Sequence, residues 1–324
     1  MQKFSPECHL VVNSRLPGMG DVGGRAPALE NLLAVGCRDV QERNVYAWLS
    51  KWFGFPAAPL AALSLLGEGL DPDAYYWLHA DPVHFQLQRD SFLLADPDLA
   101  RMDADESRLL IDALNRHFEA DGLLLLAPHP QRWYLRVNKV PAITTHPLQQ
   151  VIGRNVEPLL PQGADAARWR GWLNEVQMLL HDHPVNRVRE DRGQLPINSV
   201  WLHGGGAYTA GVMTDISQVW ADDVLVGGLA LASGLQLRPS PASATAWLEQ
   251  TPVSGAHLII LDQPGLSQLD QGWCSPLLDA LRQRRVSSLT LHFNEVDKVI
   301  SYRIKRRDLW KFWRRRQALG GWIG

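Results

Sequence analysis

Apolar residues recur along the chain with two different spacings, one typical of strands and one of helices. The run HLVVNS at 9–14 predicts a short buried strand, followed by a loop rich in glycine and proline. ALENLLAVG at 28–36 then has helical spacing, with Gly36 placed to end the helix. Further helices are predicted in VYAWLSKWFG at 45–54 and PLAALSLLGEG at 59–69. The chain therefore opens with a β-loop-α order.

The pattern changes from Tyr75 onward, where short β-like runs rich in leucine and aromatic residues replace the helices. These runs are AYYWLHA, VHFQLQ, SFLLA, LLLLA and RWYLRV, a composition typical of strands. One clear helix, ADESRLLIDALNRHFEADG at 104–122, lies among them. We interpret this part of the chain as an α+β insertion.

A long helix and then an alternating series of strands and helices follow. DAARWRGWLNEVQMLLHDH at 165–183 has its apolar residues at helical spacing, and Pro184 stops it. Strands are predicted in INSVWLHGGG, HLIILDQ and SSLTLHF, with helices in GGLALASGL and SPLLDALRQRR. Such alternation predicts a mainly parallel sheet flanked by helices. The predicted fold is α/β, with a discontinuous core of residues 1–74 and 195–324 and the insertion at 75–194.

The composition is that of a folded protein with a substantial core. The 324 residues are 46% hydrophobic, enough for two domains or one domain with an insertion. No run of about 18 apolar residues occurs, and Pro6, Glu7 and His9 interrupt any signal-peptide pattern. We therefore expect a cytoplasmic protein without a transmembrane segment. The three cysteines are far apart and lack CxxC spacing, so neither a disulfide framework nor a zinc site is indicated.

Basic residues are concentrated near the end of the sequence, although the formal net charge is only -2. Eight of the 32 lie in YRIKRRDLWKFWRRR at 302–316, interleaved with Trp310, Phe312 and Trp313. A basic aromatic tail of this kind suits an acidic partner, a nucleic-acid backbone or anionic lipid. The alternative is a terminal strand and helix whose aromatic residues pack on the core while the charges stay in solvent. We favour packing, because no recognised nucleic-acid motif accompanies the stretch.

The most specific segment is HPVNRVREDRGQLPINSVWLHGGG at 183–206, an arginine-rich turn leading to a strand that ends in three glycines. It resembles HPVNxxRxxRGxxPxNxxWxWGxG of the archaeal-type cofactor-independent phosphoglycerate mutases, which belong to the alkaline phosphatase superfamily. His203 stands where that family has its second tryptophan. PGMGDVGGRAPALENLLAVG and LSLLGEGLDPDAYY resemble two further segments of the family. The resemblance spans most of the chain and implies an alkaline-phosphatase-like core.

A still closer resemblance is to the bacterial RpfE-like proteins, which are often labelled regulatory or phosphoglycerate-mutase-like. The segments that carry it are ADPVHFQLQRD, LNRHFEADG, APHPQRWYLR, LNEVQMLLHDHPVN and NSVWLHGGG. This resemblance implies a regulatory or mutase-like protein.

The mutase resemblance also implies where a nucleophile should lie. Those enzymes use a serine that takes the phosphoryl group and two divalent metal ions held by carboxylates and histidines. Laid over AAPLAALSLLG, the family pattern GSDVAHLSLLG places the serine at Ala58, the aspartate at Pro59 and the histidine at Ala62. Ser64 aligns with a second, structural serine. A methyl group cannot attack phosphorus, so we expect no phosphoryl transfer by this route.

The family's metal ligands are likewise missing from most of the matching positions. The first strand should end in Asp-Gly, but Asn13 is followed by Ser14 and Arg15. The family's DExxH should follow HLIILDQ, where only the aspartate matches, and its closing GDH motif should fall near SSLTLHFNEVD. The weak candidate metal ligands are Asp262, His292, Glu295 and Asp297. Hard divalent ions need several converging ligands, so we expect no cofactor; manganese or magnesium would be required only by an active enzyme.

Many cationic and polar side chains could bind a phosphorylated or acidic metabolite without turning it over, because guanidinium groups hold phosphate bidentately. The candidate ligand-binding residues are His84, Arg89, Arg136, His183, Asn186, Arg189, Arg192, Asn198 and His203. The alternative, which we favour, is that the arginines pair with acids such as Glu190, Asp191 and Asp81 and fasten the insertion to the core. The glycines at 204–206 could cradle an anion, although such a run is more often a permissive turn.

Two hypotheses of function follow. The first is a non-catalytic regulatory or ligand-sensing protein, which rests on Ala58, Pro59, Ala62 and the missing carboxylates. The second is an active metal-dependent mutase or phosphohydrolase with relocated ligands, which rests on the retained segment at 183–206 and the candidates around His292. A shared fold cannot decide between them.

Overall fold

The structure is a computed structural model that describes residues 5–13, 25–41, 45–55, 57–89, 91–209, 214–250, 254–295, 298–311 and 314. The chain divides into two compact units. The first comprises Met1–Ala57 with Ala210–Gly324, and the second comprises Ala58–Thr209.

The described residues form thirteen strands and nine α-helices. The strands are β1 (Glu7–Asn13), β2 (Cys37–Gln41), β3 (Tyr76–Val83), β4 (Phe85–Leu87), β5 (Phe92–Leu94), β6 (Leu124–His129), β7 (Arg132–Val137), β8 (Ser199–Ala207), β9 (Ile216–Trp220), β10 (Leu237–Arg238), β11 (Ala256–Asp262), β12 (Ser288–Asn294) and β13 (Val299–Lys305). The helices are α1 (Pro27–Val35), α2 (Val45–Trp52), α3 (Leu60–Gly67), α4 (Ala104–Phe118), α5 (Ala166–His181), α6 (Pro184–Asp191), α7 (Val224–Ala232), α8 (Ala244–Gln250) and α9 (Ser275–Arg282). In the part of the chain described, no helix is both long and apolar enough to span a bilayer.

The first unit is built on a seven-stranded sheet in the order β10-β9-β11-β1-β12-β13-β2. The strands from β10 to β12 run parallel, whereas β13 pairs antiparallel with both β12 and β2. Parallel neighbours need crossover connections, which the intervening helices supply. The predicted class, α/β with a mainly parallel sheet flanked by helices, is confirmed.

Alternation along β1 decides which side chains enter the core of this unit. Leu10 and Val12 are fully buried in one apolar cluster with Leu32 of α1 and Leu281 of α9. His9 points to the opposite face, because successive strand residues alternate between the two faces of a sheet. Burial of each leucine contributes about 1.5–3 kcal/mol, so this cluster is a main source of the unit's stability.

The second unit has a four-stranded antiparallel sheet in the order β6-β7-β3-β8. On one face, Leu114 of α4 and Trp172 of α5 share a buried cluster with Trp133 of β7. α4 begins with a capping box, in which Asp103 and Glu106 each accept a hydrogen bond from the other's main-chain N–H. α3 covers the other face, in a cluster of Ala61, Ala62, Leu65, Trp77 and Tyr134.

The strand within INSVWLHGGG differs from its prediction. The sequence places it in the mainly parallel sheet, but it forms β8 and pairs antiparallel with β3. Apolar alternation is the same in both settings, so it could not distinguish them. The second unit therefore contains all of the predicted insertion at 75–194 and also α3 and β8.

Three consecutive glycines let the backbone of β8 pass close to α3. The register shifts between His203, which faces His79, and Gly206, which faces Trp77, so β8 carries an extra residue in a β-bulge. Gly204 has φ +64°, a conformation that side chains with a Cβ rarely adopt. A Cβ at Gly206 would lie 2.5 Å from Pro59 Cβ. The run expected to be a turn or an anion cradle is thus a bulged strand packed against the start of a helix.

Candidate functional site

The position expected for a serine nucleophile lies directly before α3. Ala58 is half-buried, and Pro59 is the N-cap of the helix without a side-chain hydrogen bond. Ala62, at the family's histidine position, is fully buried in the apolar cluster under α3. None of these side chains has an oxygen, nitrogen or sulfur atom. These three positions therefore supply neither a nucleophile nor a metal ligand.

An amide network occupies the carboxyl ends of β1, β11 and β12, the edge at which open α/β sheets usually bind ligands. Asn13 Nδ2 donates to Asp262 Oδ1 at 2.8 Å. Asn13 Oδ1 accepts from Asn294 Nδ2 at 3.0 Å. Two side-chain amides and one carboxylate are thus hydrogen-bonded to one another at the position where the mutase resemblance implies metal-binding carboxylates.

The other predicted metal ligands do not gather around Asp262. His292 is buried on β12, with Nε2 at 3.2 Å from His9 Nδ1. Glu295 lies just beyond the strand, and Asp297 lies outside the described residues. Among the residues that the structure describes, these candidates form no group of three converging ligands.

Arg189 is fastened inside the second unit. Its side chain is 1% exposed, and Nη1 donates to Glu106 Oε2 at 2.7 Å. The rest of the guanidinium donates to the main-chain carbonyls of Ala100, Arg101 and Leu195. The arginine therefore joins α6 to the start of α4, with Glu106 as its partner rather than the acids considered from the sequence.

Four further ligand candidates bond to the main chain. Asn186 donates to two carbonyls at 2.7 Å each and accepts from the N–H of Ile197. Asn198 accepts a hydrogen bond from the main-chain N–H of Phe85 and donates one to its carbonyl. His84 Nδ1 donates to a main-chain carbonyl at 2.8 Å. His183 is the N-cap of α6 and accepts from the N–H of the second residue after it. These contacts favour a structural role for these four residues over a role in ligand binding.

The remaining arginine candidates lie nearer the surface. Arg89 and Arg192 are exposed. Arg136 lies over the ring of Tyr75, with its guanidinium carbon 4.4 Å from the ring centroid, and its Nε is buried without a hydrogen-bond partner. Among these candidates, only the two exposed guanidinium groups present an open face to solvent.

A compact polar cluster lies on the α3 face of the antiparallel sheet. This His-Asp-His cluster consists of His79 and Asp81 of β3 and His203 of β8. His203 Nε2 donates to Asp81 Oδ2 at 2.8 Å, and the two imidazole rings stack with centroids 4.6 Å apart. One ligand atom from each residue lies within 4.8 Å of the others, an arrangement found nowhere else in the described residues.

Burial sets the protonation of this cluster. Burial, with the neighbouring His203, lowers the pKa of His79 to about 3, so the ring is neutral at pH 7. Burial alone would raise the pKa of Asp81, but the hydrogen bond from His203 and the electrostatic effects of His203 and His79 together outweigh it, and the pKa is lowered. Tyr134 lies beside His79, with ring centroids 5.0 Å apart. The cluster therefore offers neutral imidazole and an ionised carboxylate.

Two histidines and two tryptophans also line a cavity of about 800 Å³ in the first unit, on the sheet face opposite the core. His9 and His292 stack with centroids 5.5 Å apart, and Trp48 and Trp52 pack around them. Its charged lining residues are Glu7, Arg38, Asp39, Lys51, Asp215 and Arg303. Their signs balance, so the cavity favours no particular charge of ligand.

The histidines of this cavity predict a pH dependence of stability. Burial lowers the pKa of His292 well below 6.5, with His9 contributing, and burial also lowers the pKa of His9. Below pH 6.5 the unfolded chain takes up protons that these folded groups do not, so stability falls by up to about 1.4 kcal/mol per pH unit for each histidine. We expect the free energy of unfolding of His292→Gln, from urea denaturation, to decline less than that of the wild type between about pH 6.5 and 4.5. An equal decline in both proteins would contradict this account.

The basic tail is described as far as Lys311 and again at Arg314. Lys311 Nζ pairs with Asp308 at 2.7 Å, and Arg314 Nη1 donates to the carbonyl of Gly36 at 3.2 Å. Trp310 is 73% exposed. The tail's other residues, Phe312, Trp313, Arg315 and Arg316, lie outside the described part, so its partner stays a prediction.

Comparison with known proteins finds low but consistent similarity to one group of enzymes. No model of a known protein family matches the chain. It is 25% identical over 169 residues to the 2,3-bisphosphoglycerate-independent phosphoglycerate mutase of Methanosarcina mazei, covering 47% of this chain and 42% of that protein. It is 26% identical over 170 residues to a probable mutase of the same type from Geobacter sulfurreducens, covering 52% and 42%. The chain thus spans less than half the length of either relative.

Among solved structures, the PH0037 protein from Pyrococcus horikoshii has a TM-score of 0.54 at 13% identity, covering 93% of this chain and 88% of that chain. An identity this low shows the fold alone. The fold has the alkaline-phosphatase-like α/β class that the sequence resemblance implied. The chain is a distant homologue of the cofactor-independent phosphoglycerate mutases.

The sequence analysis identified only part of the His-Asp-His cluster. His203 was noted as a departure from the family's tryptophan and as a ligand-binding candidate. Asp81 was considered only as the partner of an arginine, and His79 was not identified. A signal was present, because His79 and Asp81 are two residues apart on a predicted strand and so share a face. The bulge at Gly204, which brings His203 opposite His79, gives no such pattern in the sequence.

Proposed function

We propose that this protein is a non-catalytic relative of the cofactor-independent phosphoglycerate mutases with a regulatory or ligand-sensing role. The observation that carries the proposal is Ala58 at the start of α3, where a methyl group stands at the position of the family's serine. Phosphoryl transfer through a covalent phosphoserine needs a hydroxyl to attack phosphorus. The regulatory half of the proposal rests on the resemblance to RpfE-like proteins.

The amide network at the sheet edge supports the same proposal. Asn13 and Asn294 are uncharged, and the amide of Asn13 already bonds Asp262 Oδ1. A two-metal phosphoryl-transfer site needs several anionic oxygens to hold its ions. One carboxylate between neutral amides offers too little negative charge. The alternative of an active enzyme with relocated ligands is less favoured, because His292 and Glu295 do not converge on Asp262.

An activity assay tests the loss of catalysis. The purified full chain, given 3-phosphoglycerate with manganese or magnesium, is expected to form no 2-phosphoglycerate in an assay coupled to enolase. Ala58→Ser is expected to stay inactive, because a serine without its metal ions is not activated. An active cofactor-independent mutase serves as the positive control. Turnover by the wild-type chain that disappears with a chelator would overturn the proposal.

A thermal-shift series tests ligand sensing, because a ligand that binds only the folded state raises Tm. We propose a phosphorylated or acidic small molecule, the class to which the mutases' substrates belong. Arg89→Ala and Arg192→Ala are suitable variants, because both side chains are exposed and their loss leaves the fold intact. The ligand-induced rise in Tm is expected to shrink in at least one of them. No rise with any phosphorylated compound would refute this part of the proposal.

A further inference from the structure

We propose that the His-Asp-His cluster is a binding site for one divalent transition-metal ion, with Zn²⁺ as the preferred ion. His79, Asp81 and His203 would supply two imidazole nitrogens and one carboxylate oxygen. All three residues belong to the second unit, whereas Asn13 belongs to the first, and the inference does not depend on whether the chain has lost mutase activity.

Unpartnered polar atoms inside the cluster are the first support. His79 and Asp81 are 8% and 9% exposed. His79 Nδ1 and Asp81 Oδ1 are both buried without a hydrogen-bond partner among the described residues. A buried polar atom left unpaired is destabilising, because it has lost its hydrogen bonds to water without a replacement. An ion bound between the three side chains would satisfy both atoms at once.

The strand pairing is the second support. His79 and Asp81 are two residues apart on β3 and therefore project from the same face of the sheet. Without the bulge, residue 204 would lie opposite His79; with it, His203 takes that place. Gly204 supplies the positive φ that the bulge needs. The backbone is thus shaped so that a third ligand joins the pair on β3.

The chemistry of the donors selects the ion. Two imidazoles and one carboxylate suit zinc and neighbouring transition metals, whereas magnesium and calcium prefer oxygen ligands. Three protein ligands leave a fourth zinc position open, as in sites where zinc also holds water or another molecule. The site is therefore of the open kind rather than a closed structural site.

Binding requires one local rearrangement. His203 Nε2 donates to Asp81 Oδ2 at 2.8 Å, so ligation through this nitrogen requires the other tautomer, with the proton on Nδ1. Its ring must also turn out of the stack with His79, because a ligand nitrogen directs its lone pair along the plane of the imidazole. Zinc–nitrogen bonds of about 2.0–2.1 Å then replace the hydrogen bond.

A titration of the full chain tests the site. Protein stripped with a chelator is expected to bind one Zn²⁺ per chain and to gain Tm on binding. His203→Gln and Asp81→Asn, which preserve side-chain size, are expected to weaken zinc binding by more than about 100-fold, beyond the loss typical of outer-shell partners. His117→Gln is a matched control, because it removes an imidazole from an exposed His-carboxylate pair with Glu175. Cys37→Ser controls for the exposed thiol.

X-ray absorption on the zinc-loaded wild type counts the ligands without any substitution, so the test stands even if a variant fails to fold. Two imidazoles with oxygen ligands are expected. The proposal is overturned if the wild type takes up no zinc, if sulfur ligands appear, or if both cluster variants bind zinc as tightly as the wild type.

Discussion

Arg189→Ala is expected to lower the free energy of unfolding of the second unit by about 3–5 kcal/mol, the cost of breaking a buried ion pair. The substitution removes the partner of Glu106 and leaves three main-chain carbonyls without their donor. Glu106 also belongs to the capping box of α4, so the start of that helix is weakened as well. Urea denaturation followed by tryptophan fluorescence measures the effect. Because the two units could unfold in separate transitions, each transition is fitted separately.

Two neighbouring arginines provide the controls for this prediction. Arg192→Ala removes an exposed guanidinium from the same motif, and surface substitutions of this kind change stability by less than about 0.5 kcal/mol. Arg187→Ala breaks an exposed pair whose N···O distance is 3.8 Å, with a similarly small effect. Arg189→Lys keeps the charge but loses the fork of donors, so an intermediate loss is expected. If Arg189→Ala and Arg192→Ala were equally stable, the proposed structural role of Arg189 would be wrong.

Gly206→Ala is expected to destabilise the second unit by about 1–3 kcal/mol, the usual range for overpacking. The new Cβ would lie 2.5 Å from Pro59 Cβ and 2.6 Å from Pro59 Cα. Because one of these atoms is main chain, a side-chain rotation cannot relieve the overlap, and α3 must shift from β8. The same denaturation experiment measures the loss.

Gly171→Ala is the matched control for the glycine prediction. Gly171 lies within α5, and a Cβ there would have no heavy atom within 4 Å. Alanine favours a helix over glycine, so this variant is expected to be more stable by about 0.5–1 kcal/mol. Opposite signs for the two variants would support the packing of β8 against α3. A stabilising effect of Gly206→Ala would contradict it.

Most helices were predictable because their signals are local. The segment predicted as an arginine-rich turn is an exception, because Pro184 stops α5 but is itself the first residue of α6 (Pro184–Asp191), a position that tolerates proline. ALENLLAVG gives α1, and the long pattern at 165–183 gives α5, in each case because apolar spacing and a stop residue lie within one segment. The apolar residue at position 58 is equally local, since one aligned segment carries Ala58, but the loss of catalysis inferred from it stays a prediction. What could be predicted was therefore the fold class and most elements.

The rest depended on contacts between distant parts of the sequence. Arg189 looked like an anion-binding residue because its partner, Glu106, is 83 residues away in the chain. The His-Asp-His cluster depended on the register of two strands that are 115 residues or more apart along the chain. Register comes from hydrogen bonding and bulges, and neither leaves a clear trace in hydrophobic alternation.

The amide network at the sheet edge has a consequence for evolutionary reversal. An asparagine codon becomes an aspartate codon by one base change, as does an alanine codon a serine codon, whereas Pro59→Asp and Ala62→His each need at least two changes. Yet Asn13→Asp by itself would set a second carboxylate against Asp262, where the amide now donates at 2.8 Å. Adjacent carboxylates without a metal ion repel, and one of them must take up a proton. This first substitution is therefore unfavourable without the others, so under the proposed function selection cannot easily restore the site one residue at a time.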